Sequence, residues 1–159
     1  MRSEADIVKT IQTYSDNIRR ICFVYLKNDA DTEDVFQDVF LKYAQCKQNF
    51  ENENHVRAWL IRVCINRCKD VLKNSARRNT SIDELHFLPS TVLDDNRETL
   101  EAVLALPQKF RTVVYLHYYE GYTAPEISRL IRKNINTVYT WLGRAREKLK
   151  QMLGGELGE

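Results

Sequence analysis

Arg62, Asn66, Lys69 and Lys73 recur at i, i+4, i+7 and i+11, a spacing that lines four side chains along one side of a helix. Three cations around an amide suit a nucleic-acid backbone, with one group left to read a base: cations hold phosphates, whereas an amide can pair with a base edge. Just upstream, Phe50, Asn52, Asn54 and His55 supply a ring and amides able to stack on, or hydrogen-bond to, an unpaired base. Taken alone, the stripe equally fits a solvated basic face.

Other reactive side chains form no comparable set. Cys64 and Cys68 share a helical face, and with His55 they suggest zinc. The C-x₃-C spacing matches no common structural zinc motif, however, and no other His or Cys lies close in sequence. The four cysteines, Cys22, Cys46, Cys64 and Cys68, are therefore read as reduced thiols packed as small apolar groups, with no metal or cofactor expected. His55, His86 and His117 have no matching nucleophile or carboxylate cluster, and no glycine loop could cradle phosphate, so no catalytic site is expected.

Two further surfaces lack an obvious core role. At about 100° per residue, Val35, Phe36, Val39, Phe40 and Tyr43 form an ordinary apolar stripe on the second helix. Asp34, Gln37, Asp38 and Leu41 fall on the opposite side, either as a solvated acidic face with one stray Leu or as a docking face anchored by Leu41. Near the carboxyl end, Glu126, Ile127, Leu130 and Ile131 have the spacing of a supporting helix. Asn134 then caps a helix whose Val138, Leu142, Ala145 and Leu149 face inward, while Tyr139, Thr140, Gly143, Arg144 and Arg146 face outward or lie at the edges. This is a helix-turn-helix pattern, and equally a terminal helical hairpin.

The elements that carry these groups are helical nearly throughout. Ile18, Ile21, Cys22, Tyr25 and Leu26 mark one helix. A second is expected over 32–46 with Asp31 as N-cap, and a third over 55–73, its buried side carrying Val56, Trp59, Leu60, Val63, Cys64, Cys68 and Val71. The stretch 74–96 loses periodicity and gathers Asn, Ser, Thr, Asp and Pro, as a linker does. Helical spacing returns over 97–105, 107–119, 123–131 and 135–152. Five glycines and three prolines in 159 residues leave little material for a strand-rich fold. No apolar run approaches the roughly 20 residues of a membrane span, and the start lacks a signal-peptide pattern, so a cytoplasmic chain is expected. Residues 129–150 contain seven Lys/Arg against Glu147 alone, whereas 79–101 contain six Asp/Glu against Arg97 alone. A basic tail and an acidic middle imply different partners.

In order and separation these pieces resemble the sigma-70 family of bacterial transcription initiation factors, in its short extracytoplasmic-function group. "DADTEDVFQDVFLKYA" resembles region 2.2, and "AWLIRVCINRCKDVLK" resembles regions 2.3 and 2.4, with Trp59, Leu60, Arg62 and Asn66 carrying the W-L-x-R-x-x-x-N pattern. "LPQKFRTVVYLHYYEGYTAPEISRLIRKNINTVYTWLGRAREKL" resembles region 4 through Leu106–Pro107, Glu120–Gly121, Glu126–Ile127, Thr137–Val138 and Arg144–Ala145–Arg146.

The resemblance implies an all-α fold of two small helical domains joined by a flexible acidic linker, with boundaries at 1–78, 79–96 and 97–155. It implies a transcription initiation factor rather than an enzyme, with core RNA polymerase and promoter DNA as partners and an anti-sigma factor as a further one. Asp34, Gln37, Asp38 and Leu41 would dock on the β′ clamp helices, and region 4 would meet the β flap. Phe50, Asn54, His55, Arg62, Asn66, Lys69 and Lys73 would open and read the −10 element. Asn136, Thr137, Tyr139, Thr140, Gly143, Arg144 and Arg146 would read the −35 duplex. The linker would thread toward the RNA exit path, its negative charge imitating nucleic acid until RNA displaces it.

The chain departs from the family pattern at several points. Arg132 replaces the turn glycine, and although Arg adopts left-handed backbone less readily than Asn or Gly, a helix-turn-helix corner can have several geometries, so the fold is expected to survive. Asn136 stands at a second common glycine position. Tyr139 and Trp141 stand where Lys and Arg are common, implying an unusual −35 preference. The family's extra leading helix is expected to be mostly absent. The competing readings are a helix-turn-helix regulator acting without polymerase, which gives the Leu41 face no role, and a helical scaffold with merely solvated stripes.

Overall fold

In a computed structural model, the structure describes residues 2–78 and 97–154, and within these it gives no side-chain account of 75–78 and 97. The acidic linker lies outside the described residues. The chain divides into two compact units, Met1–Leu88 and Pro89–Glu159, and among the described residues every regular element is helical.

The first unit is a three-helix bundle of α1 (Glu4–Leu26), α2 (Asp29–Gln45) and α3 (Glu53–Arg78), each packed on the other two. Ser3 caps α1 by accepting from the Asp6 amide, so this helix starts well before the apolar periodicity that begins at Ile18. Asn28, not Asp31, caps α2: its side chain accepts from the Asp31 amide at 2.9 Å. Asp31 instead lies in the first turn, where a carboxylate complements the helix dipole. Asn52 accepts from the His55 amide at 2.9 Å, so α3 also starts early and carries Asn54 and His55 in its first turn.

The core contains Ile18, Ile21, Cys22 and Tyr25 of α1, Val35, Val39 and Tyr43 of α2, and Leu60, Cys64 and Cys68 of α3. Ile61 and Ile65 are also fully buried, whereas Trp59, Val63 and Val71 of the seven residues expected are only half-buried, so the inward side of α3 spreads over a broader arc than the expected stripe. A helix enclosed by two neighbours buries a broader arc than one lying on a single surface.

The second unit contains α4 (Arg97–Leu104), α5 (Gln108–Val114), a π-helical continuation (Tyr115–Tyr119), α6 (Ala124–Ile131) and α7 (Ile135–Met152). Ala102, Val103, Leu106, Phe110, Val114, Ala145 and Leu149 make one apolar cluster, with Trp141 and Leu153 partly buried against it. The π stretch ends where the Glu120 amide donates to the Tyr115 carbonyl at 3.2 Å, and the Tyr115 hydroxyl donates to the buried Glu120 carboxylate at 3.0 Å. Thr123 and Glu126 form a reciprocal capping box on α6, which satisfies two amides that would otherwise lack partners.

Candidate polymerase and nucleic-acid interfaces

On α2 the helical phase puts Leu41 on the surface with 55% of its area exposed. Asp34 and Gln37 are exposed beside it, and Asp38 is half-buried. Asp38 is also engaged, because Arg67 Nε of α3 donates to its Oδ2 at 2.8 Å. Nearby, Arg19 makes the same kind of bond to Glu33 at 2.8 Å. The hydrogen bond and charge of Arg19 hold the Glu33 carboxyl below its usual range. The face is thus an apolar side chain among acids, two of them tied by arginines from neighbouring helices.

On α3, Asn66, Lys69 and Lys73 are exposed and Arg62 is half-buried. The Arg62 Nε is buried without a hydrogen-bond partner, whereas its guanidinium end can still meet an anion. Cations and amide therefore share the outer side of α3, opposite the buried thiols.

The 46–55 segment is ordered by an aromatic cluster. Phe50 stacks on Tyr43 with centroids 6.0 Å apart, and meets His55 and Trp59 edge-on at 4.9 and 5.7 Å. Its ring therefore already has partners, and a base could reach it only at the cluster's edge. Arg2 lies over both Tyr43 and Phe50, with its guanidinium carbon 4.4 and 4.9 Å from the ring centroids. Arg2 also donates to the Gln48 carbonyl and to Asp6. The Tyr43 hydroxyl donates to Asp6 at 3.1 Å, and burial pushes its pKa above the ordinary value. Asn54 is exposed, and His55 Nδ1 accepts from the Glu51 amide at 3.1 Å. Arg2 is a contributor that sequence periodicity did not reveal, because it acts across the bundle from outside any helix.

The second unit presents α7. Asn136, Tyr139, Thr140, Gly143, Arg144 and Arg146 are exposed and Thr137 is half-buried. Arg146 Nε donates to the Tyr118 hydroxyl at 2.6 Å, which ties it to the π-helical segment. Trp141 is half-buried against the core, near Lys109, and so does not belong to the outer face. Asn134 caps α7 by accepting from the Asn136 amide at 2.8 Å.

The corner before it survives the replacement of the turn glycine. Arg132 adopts the left-handed conformation, φ 59° and ψ 49°, so the turn keeps the backbone that glycine would favour. The Ser128 carbonyl accepts from both the Arg132 and Lys133 amides, satisfying an end-of-helix acceptor. That closure fixes the conformation despite the side chain.

Among the described residues no helix is long and apolar enough to cross a membrane. Residues 10–78 match the family model of sigma-70 region 2, and residues 96–149 match that of sigma-70 region 4. The chain is 26% identical over 157 residues to RNA polymerase sigma factor SigV of Bacillus subtilis, covering 97% of this chain and 95% of that one. It is 27% identical over 167 residues to the ECF RNA polymerase sigma factor SigW of the same species, covering 94% and 88%. Its fold is similar to that of the sigma factor RpoE from Bartonella quintana, solved in complex with the anti-sigma factor NepR, with a TM-score of 0.80, 18% identity, and coverage of 95% and 98%. It is also similar to CnrH solved with the cytosolic domain of CnrY, with a TM-score of 0.65, 20% identity, and coverage of 97% and 91%.

Proposed function

The chain belongs to the sigma-70 family, in its extracytoplasmic-function group, and from that premise we propose how its surfaces direct RNA polymerase to promoters. Asp34, Gln37, Asp38 and Leu41 dock on the β′ clamp helices. The observation that carries this reading is the exposure of Leu41 opposite the core stripe of its own helix, which gives the side chain no role in the bundle. An apolar anchor ringed by acids suits a protein partner with a basic rim.

The α3 stripe of Arg62, Asn66, Lys69 and Lys73, with Phe50, Asn54 and His55 beside it, takes the opened −10 strand. Strand opening needs no covalent step. The cost of unstacking, a few kcal/mol per base, is offset by capture of the extruded base and by contacts to phosphates. The outer face of α7, from Asn136 to Arg146, lies in the −35 major groove, where the amino-terminal residues of a recognition helix reach base edges. The second unit also meets the β flap, and the protein acts in the cytoplasm. An anti-sigma factor would inhibit most by covering the β′-docking and −35-reading faces together. A helix-turn-helix regulator acting without polymerase leaves the Leu41 face unused.

The test is core-polymerase capture followed by transcription from a genomic promoter library, with the RNA starts sequenced. Starts sharing elements near −10 and −35 support the reading. Failure to bind core enzyme or to direct starts defeats it.

A further inference from the structure

The inner side of α3 holds a group of side chains that promoter recognition does not use. Cys64 and Cys68, one helical turn apart, face Cys22 of α1, and their three Sγ atoms lie within 4.8 Å of one another. The Cys22 and Cys64 sulfurs are 3.3 Å apart, and all three residues are 0% exposed. The chain spacing conceals this set, because its third member comes from another helix. An ion bonded to sulfur at about 2.3 Å would hold three ligands roughly 4 Å apart, so small side-chain rotations suffice to close such a site.

Ligand number and charge narrow the occupant. Among the described residues no His, Asp or Glu joins the group, and burial leaves no room for coordinating bulk water. Structural zinc takes four protein ligands, one more than is present. Three thiolates carry three negative charges, and uncompensated charge inside a bundle is costly. The charged groups acting on the cluster are Arg19 and Glu33 near Cys22 and Arg67 near Cys68. Arg19 is paired with Glu33, and Arg67 with Asp38, so neither guanidinium offers uncommitted positive charge. A monovalent or divalent ion would leave net negative charge in the core. A trivalent one would not.

We propose that Cys22, Cys64 and Cys68 form a three-sulfur site for a trivalent thiophilic centre, of which arsenite is the simplest source. Arsenous acid reacts with three thiols: three As–O bonds break, three As–S bonds form, and each thiol proton leaves with a hydroxyl group as water. No electron is transferred, and the product is neutral. It crosslinks α1 to α3 behind the surface that bears Asn66 and Lys69. Binding to the folded state alone would also raise the thermal midpoint.

The experiment treats the reduced full-length protein with arsenite alone and reads the intact mass, the number of thiols still open to alkylation, and the melting curve. One arsenic per chain with loss of three hydrogens is expected, thiols counted by alkylation in denaturant falling from four to one, with a higher thermal midpoint for the folded protein. Cys46→Ser should keep the adduct; Cys22→Ser and Cys68→Ala, each checked for helicity, should lose the three-hydrogen signature. No adduct, loss of only two hydrogens, or an unchanged adduct in both folded triad variants would overturn the site. Parallel arms use cuprous copper and zinc, each alone; one-to-one binding of either without an arsenite adduct would overturn the charge argument and the proposal with it.

Discussion

Arg67 of α3 donates to Asp38 of α2 at 2.8 Å, and this bond sets Asp38 apart from Asp34 among the acids around Leu41. Asp34 makes no hydrogen bond or ion pair among the described residues. Asp34→Ala should therefore weaken core-polymerase capture with thermal stability unchanged. Asp38→Ala should also lower stability, by about 0.5 kcal/mol, as expected for a half-exposed pair. Leu41→Asp should cost about tenfold or more in polymerase affinity, the loss of an interface anchor. Its unfolding free energy should stay within about 0.5 kcal/mol of wild type. A large stability loss in Leu41→Asp would show that the side chain has a core role.

Asn66 and Lys73 share the outer side of α3 but should fail differently. Asn66→Ala should reduce discrimination among −10 sequences by about 1–3 kcal/mol at the base it reads. Lys73→Ala should weaken binding to all sequences alike and lower the salt slope by about 1. Competition binding of holoenzyme to −10 variants across a salt series separates the two. An equal, sequence-independent loss in both would contradict the assigned roles.

The acid limb of stability carries the mark of Arg19. Its hydrogen bond and charge depress the Glu33 pKa in the folded state, so the unfolded chain binds the Glu33 proton more readily. The contribution is present above the unfolded value of about 4.3 and is lost as pH falls through the lower folded value. With Glu33 49% exposed, it amounts to at most about 1 kcal/mol. Glu33→Gln should flatten the urea-denaturation stability profile below about pH 5.

Much of this arrangement is legible in the sequence because helical periodicity reports burial directly. Leu41 lies outside its core stripe and is exposed; Val138, Leu142, Ala145 and Leu149 lie on one stripe and are buried. Cap identity is less legible. Asn28 and Asp31 are both good N-cap types, and only the backbone shows which accepts the amide. Contacts across the bundle are illegible in principle: nothing local to Arg2 announces Tyr43 and Phe50, and nothing local to Cys64 announces Cys22.

Arg132 adopts the left-handed conformation at an exposed corner, where a β-carbon is unfavourable by about 1 kcal/mol. Arg132→Gly should raise the unfolding free energy of the second unit by about 0.5–1 kcal/mol, read from urea denaturation. An unchanged or lower value would mean that the Arg132 side chain offsets its own backbone strain.

Gly143 offers the sharpest separation of stability from recognition. It sits in the middle of α7, exposed, and a β-carbon built there meets nothing within 4 Å. The fold therefore gives no steric reason for glycine, which destabilises a helix interior by roughly 0.5–1 kcal/mol relative to alanine. Gly143→Ala should stabilise the second unit by that amount. If this turn of α7 lies against DNA, the added methyl should at the same time weaken −35 duplex binding by holoenzyme severalfold, because it fills space the groove needs. Greater stability with unchanged −35 affinity would remove Gly143 from the reading face and limit that face to the turns around Asn136 and Tyr139.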